Sequence, residues 1–124
     1  MKLTGKCKEE FEKWLSDQDC YNYETLEVDC DNALGMNPHE VYWFVVFDKL
    51  PRDFKYGVYV NYFDSVLISV SCYRISKEWV QYDVIDYKHD DFNVDEQESY
   101  RTRQEARDKA IEKANQIRNK QLKQ

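Results

Sequence analysis

The sequence predicts an α+β fold: N-terminal helices, an antiparallel two- or three-stranded sheet, and a closing C-terminal amphipathic helix. Three observations predict it. Apolar residues near the N-terminus recur at helical spacing, residues 67–87 alternate as a hairpin does, and a capping box from Thr102 opens an alanine-striped segment. At 124 residues the chain fits one small globular domain covering 1–124.

The first helix is expected from about Gly5 to Ser16, with Thr4 as its cap. Cys7, Phe11, Trp14 and Leu15 form its apolar stripe, and Lys6, Lys8, Glu9, Glu10, Glu12 and Lys13 fill the other face. Residues 17–34 are acidic and mixed and read as an irregular connection. Asn37-Pro38-His39-Glu40 has the form of a helix start, so a helix is expected over 38–49, ended by Pro51. The β-branched and aromatic run Val41–Phe47 argues for a strand instead. Residues 52–66 carry two periods at once. Phe54, Tyr56, Val58, Val60 and Tyr62 alternate, while Phe54, Val58, Tyr62 and Val66 repeat every fourth residue. The alternative architecture, α-β-β-β-β-α, makes 41–48 and 57–63 strands.

The hairpin is expected at about 67–75 and 78–87, with Ile68, Val70 and Cys72 on the buried face and a third strand near Phe92–Val94. Thr102-Arg103-Gln104-Glu105 opens the last helix, about 103–120. Its buried stripe is Ala106, Ala110, Ala114 and Ile117, with Ile111 beside it.

Charge is segregated. Residues 101–124 hold eight Lys/Arg and three Asp/Glu, whereas the whole chain has a net charge of −6. On a helical wheel, Arg103, Arg107 and Arg118 flank one side of the apolar stripe. Lys109, Lys113 and Lys120 flank the other, and Glu105, Asp108 and Glu112 face away. A helix that grips phosphate gathers its bases outward. Bases at the borders of a buried face instead cover apolar neighbours with their stems and meet acids of the body with their heads. The terminal helix is therefore expected to fold back as a lid on its own acidic domain. Should it bind a ligand, Arg101, Arg103, Arg107, Lys109 and Lys113 are the candidate residues.

Other chemistry is thinly signalled, and no catalytic residue, metal ligand or cofactor is assigned. Cys7, Cys20, Cys30 and Cys72 are separated by 13, 10 and 42 residues, with no Cys-x-x-Cys pair for zinc. Cys7 and Cys72 read as small buried residues. Cys72 with a histidine would be the only nucleophile–base pair to consider. His39 is explained by a helix first turn, and His89 lies in the acidic loop Lys88–Asp91, read as solvated. Gly5, Gly35 and Gly57 are isolated, so no phosphate loop exists. Tyr56, Tyr59, Tyr73, Tyr82 and Tyr87 could stack on unpaired bases, but core and sheet packing is the favoured account of them. No apolar run reaches the roughly 18–20 residues that span a bilayer. The N-terminal residues lack an apolar signal core, so a cytoplasmic protein with no membrane partner is expected.

Three blocks, Leu3–Leu15, Leu50–Val66 and Tyr100–Ile117, resemble short uncharacterised proteins carried by phages and mobile elements of Bacteroides-type gut bacteria. In that group an acidic residue is common where Asn61 stands, and a glycine where Leu67 stands. The resemblance implies no known activity, but it does imply that 52–65 is a helix feeding a strand. A weaker similarity links the element order, Gly35–His39 and Arg101–Arg107 to double-stranded RNA-binding domains. The Gly-Pro spacing differs and no lysine cluster follows. The expected role is thus a non-enzymatic accessory protein with a host or phage protein as partner. The alternatives are a nucleic-acid-binding module using the basic helix, and an acidic nucleic-acid mimic that regulates a host protein.

Overall fold

The computed structural model describes residues 1–17, 47–89, 91–94 (backbone) and 98–123. In chain order these contain α1 (Gly5–Ser16), α2 (Arg52–Ser65), β1 (Ile68–Arg74), β2 (Val80–Asp86), β3 (Asp91–Val94) and α3 (Arg103–Leu122). The sheet is antiparallel with order β1-β2-β3. β1 pairs with β2 from Ile68↔Asp86 to Arg74↔Val80, and β2 pairs with β3 from Asp83↔Val94 to Asp86↔Asp91. Just before α3, Tyr100 exchanges two backbone hydrogen bonds with Val80, at 2.7 and 2.8 Å. This is the expected α+β arrangement, with the terminal helix after the strands. Of the helix expected over 38–49, residues 38–46 lie outside the described residues, as does the connection at 18–34; residues 47–49 are helical.

The four-residue period wins over the alternation in 52–65, which corrects the alternative with a strand at 57–63. Val58, Tyr59, Tyr62 and Phe63 are the buried residues of α2. They occupy one helical stripe, and burying them together outweighs the β preference of Val and Tyr. Phe54, in the first turn, remains 63% exposed.

α2 ends in a strained corner. Leu67, just past the last turn, has φ +64°. That left-handed conformation is where helices usually place glycine. Its N–H donates to the Asp64 carbonyl at 3.0 Å and its carbonyl accepts from Tyr87 N at 2.9 Å, so the corner ties α2 to the end of β2. The side chain is 56% exposed and contributes little burial in return. Leu67→Gly is expected to raise stability by about 1 kcal/mol, read as a higher urea midpoint at unchanged slope. An unchanged or lower midpoint would show that the side chain offsets the strain.

The three helices described lie on one face of the sheet: α3 packs on β1 and β2, α2 on β1, and α1 against α2 and α3. Ile68, Val70, Val80, Tyr82 and Val84 supply the sheet's side of the core. Small Ala106, Ala110 and Ala114, all fully buried, let α3 lie close to it. Phe11 is the hub of an aromatic cluster, with ring centroids 5.0–6.0 Å from Tyr59, Phe47, Tyr62 and Trp14.

The N-terminus of α1 departs from the expected cap. Thr4 makes no side-chain cap bond; the free N–H groups are satisfied across the fold by α3. Asn119 Oδ1 accepts from Cys7 N at 2.8 Å, and Asn115 Oδ1 accepts from Thr4 N at 3.0 Å. Asn119 Nδ2 and Asn115 Nδ2 donate to Thr4 O and Thr4 Oγ1, both at 2.9 Å. Gly5, at φ +63°, makes room for this: a Cβ there would stand 2.8 Å from Asn119 Oδ1. Gly5→Ala is expected to cost about 1–2 kcal/mol from the backbone conformation alone. A thermal melt measures it, and Asn119→Ala in the same background should then cost less than in the wild type, because the alanine has already displaced that side chain.

Candidate interaction surface

Four tethers hold α3 over the helical layer and the sheet, two of them to α1, one to α2 and one to the end of β2. The strongest is at its C-terminal half. Arg118 donates from Nε and Nη2 to the two oxygens of Glu10 in α1, at 2.8 and 2.9 Å. Tyr62 of α2 donates its hydroxyl to the same carboxylate at 2.8 Å. The Arg118 side chain is only 13% exposed, so water screens the pair weakly. Burial by itself would raise the Glu10 carboxyl, but the Arg118 and Tyr62 hydrogen bonds outweigh it and hold the group below the usual glutamate range. Arg118 in turn is raised, first by its hydrogen bond to Glu10.

At the other half of α3, Arg107 donates to Asp53 Oδ1 at 2.7 Å, with its guanidinium 4.8 Å from the Tyr56 ring centre. Beside it the polarity reverses: Asp108 accepts from Arg52 of α2. The wheel placed Asp108 on the outward face; α2 reaches round to meet it instead. The third tether is the Asn115–Asn119 pair on α1. The fourth is Gln121, which donates to Asp86 Oδ2 at 2.8 Å. Asp86 is 3% exposed. It also accepts at Oδ1 from the backbone N–H groups of Lys88 and His89, and His89 Nδ1 lies 2.8 Å from Oδ2. Burial would raise Asp86, but the His89 and Gln121 bonds prevail and keep it low. His89 is therefore half engaged at the sheet's end rather than simply solvated.

The five candidate binding residues do not converge. Arg107 is taken by Asp53. Lys109 lies 3.6 Å from Glu112 on its own helix. Lys113 makes no ion pair or hydrogen bond among the described residues. Arg101 and Arg103 are exposed; Arg101 sits over the Trp79 ring at 5.2 Å, and Arg103 has no hydrogen bond or ion pair among the described residues. Arg107 and Arg118 thus meet acids of the body as the lid expectation has it, whereas Arg103 meets none among the described residues. Of the stacking tyrosines, Tyr59 and Tyr82 are buried, Tyr56 is half-buried, and Tyr73 and Tyr87 are exposed.

The thiols are held protonated. Burial pushes Cys7 up to about 11, against the Tyr62 hydroxyl 3.7 Å away. Burial also raises Cys72, although the Tyr56 hydroxyl and the charges of Arg107 and Arg103 pull the other way. Cys72 pairs with Tyr82 in the sheet, and Asp86 with its bound His89 lies four residues further along β2, about 13 Å at the usual strand rise. That imidazole is out of reach of the thiol, and His39 lies outside the described residues. Among the described residues no group of three or more His, Cys, Asp or Glu is placed to hold a metal ion, and no helix is long and apolar enough to cross a membrane.

What remains open is the sheet's other side. Among the described strands β1 stands at one end of the sheet, and none pairs with its outer edge. Ser69 and Ser71 project away from the helices, opposite Ile85 and Asp83 of β2. Natural edges are commonly guarded by lysine, proline or a bulge. β1 has none along Ile68–Tyr73, and Arg74 at its end folds back onto the Ser76 and Lys77 carbonyls at 3.3 and 3.1 Å. Near its start stand Leu67 and Tyr87, 56% and 58% exposed, and beyond its end Ile75, 46% exposed. Sequence alternation marks this strand, but nothing local to it says which side is left unpaired.

No family model matches this chain, and neither a curated protein nor a solved structure matches it.

Proposed function

We propose that this chain is a non-enzymatic protein-interaction module that takes up an extended segment of its partner along the free edge of β1. The observation that carries the reading is that edge: seven residues with no described strand beside them, in a sheet whose described helices pack on one face. Strand addition uses main-chain hydrogen bonds for affinity and flanking apolar residues for selectivity; Leu67, Tyr87 and Ile75 are placed for the second task. The resemblance to phage and mobile-element proteins makes an accessory role toward a host or phage protein the natural setting. The left-handed Leu67, standing where that group carries glycine, supports the alignment of the middle block.

The test is a pair of charge insertions. Ser69→Lys with Ser71→Lys should abolish capture of the partner in a cross-linking pull-down while leaving the thermal melt within about 0.5 kcal/mol. Arg101→Glu with Arg103→Glu should leave capture unchanged. The reverse pattern, with salt-sensitive retention on DNA or RNA, would favour a second reading in which the Arg101–Trp79 pair and Arg103 contact a nucleic acid.

A further inference from the structure

A cavity of about 230 Å³ opens between the N-terminal segment, α1, residues 47–48 and α2. Its floor is apolar and aromatic: Leu3, Phe11, Phe47 and Tyr59 line it, each at most 5% exposed. Its rim is charged. Lys2, Lys8 and Lys55 stand there against Glu12 and Asp48, an excess of positive charge on a chain of net −6. Lys8 is answered by Glu12 at 3.9 Å. Lys2 makes no ion pair among the described residues. Lys55 makes none either; its Nζ lies 5.7 Å from the Phe47 ring centre, at the mouth of the aromatic floor.

Tyr59 is 5% exposed as a residue and lines the floor. Its hydroxyl is not among the buried side-chain atoms left without a hydrogen bond. Burial, reinforced by Asp48 and Cys7, pushes Tyr59 up to about 12, so at neutral pH the phenol is a donor. A phenol donor on an aromatic floor, under two lysines without ion-pair partners among the described residues, suits an acceptor that carries an apolar body.

We propose that this cavity binds a small aromatic monocarboxylate, its ring on Phe11 and Phe47 and its carboxylate between the Tyr59 hydroxyl and Lys55, with Lys2 adding charge. The volume falls below the roughly 300 Å³ at which drug-sized sites begin, so the ligand is a single-ring acid. Glu12 and Asp48 exclude dianions by repulsion.

Phenylacetate, with phenylacetamide and phenethylamine as its neutral and cationic counterparts, tests this on the full chain by amide NMR titration. Phenylacetate should give saturable shifts at Leu3, Phe11 and Tyr59, and should bind more tightly than the amide, with the amine weakest. Lys2→Gln with Lys55→Gln should weaken phenylacetate about tenfold and bring it level with the amide; Tyr59→Phe, which removes one oxygen, should weaken it about fivefold. Absence of saturable shifts, an amine that binds as well as the acid, or variants that bind like the wild type would each overturn the proposal. Because the β1 edge variants leave this cavity intact, the strand-addition reading and this one stand or fall separately.

Discussion

Phe11→Ala is expected to cost about 3–5 kcal/mol, a large share of the total stability of a domain this size. The residue is 3% exposed and its ring touches four others, from three different stretches of chain. Truncation removes the burial of the ring and leaves a void that Tyr59 and Tyr62 are poorly placed to fill. Tyr62 is held by its bond to Glu10, and Tyr59 is wedged between Phe11 and Phe47. Urea unfolding followed by tryptophan fluorescence measures the loss, and Trp14, 6.0 Å from the Phe11 ring, reports it locally. A cost under about 1.5 kcal/mol would mean that the cluster collapses onto the void, and that Phe11 is a filler rather than its hub. Phe11→Leu should recover most of the stability, because it restores volume without the ring.

Arg118→Met is expected to cost about 3 kcal/mol at neutral pH, since it leaves Glu10 and the Tyr62 hydroxyl partly buried without their cation. The pH dependence separates this from a simple packing loss. In the wild type the folded Glu10 carboxyl lies below its unfolded value, so its stabilisation is present above the unfolded range near pH 4.3 and is lost as pH falls through the folded value. In the variant the burial that opposes ionisation is no longer outweighed, and protonation of Glu10 relieves the fold. The gap between wild type and variant should therefore be widest above about pH 5 and narrow in acid. A gap that is flat with pH would show that Arg118 acts through its packed stem alone. Asp86 adds to the wild-type acid sensitivity with the same sign, because its folded value is also depressed.

Much of the architecture was legible in the residues themselves. The limits of α1 follow from one apolar stripe, and the hairpin follows from alternation that a one-residue slip would turn inside out. Thr102 does cap α3, its Oγ1 accepting from Glu105 N at 3.2 Å. Residues 52–65 were legible only as a conflict, because Phe54, Val58 and Tyr62 satisfy both periods. The resemblance to the phage proteins pointed to the helix, and packing explains it. The candidate site was less legible. The wheel found Arg107 and Arg118 at the border of the buried face, but the acids that meet them, Asp53 and Glu10, lie 54 and 108 residues away. Asn115 interrupts the apolar side of α3 and carries no local signal, yet with Asn119 it meets the start of α1 more than 100 residues earlier.

The sequence by itself determined the first helix, the hairpin and the closing helix with its basic character, because hydrophobic period, capping residues and charge act over a few residues. Only the tertiary structure decided which cations are neutralised, which helix end is capped from afar, and which strand edge and cavity are left open. Those depend on distances between residues far apart in the chain, set by burying the aromatic cluster and the alanine face together. No local pattern encodes them.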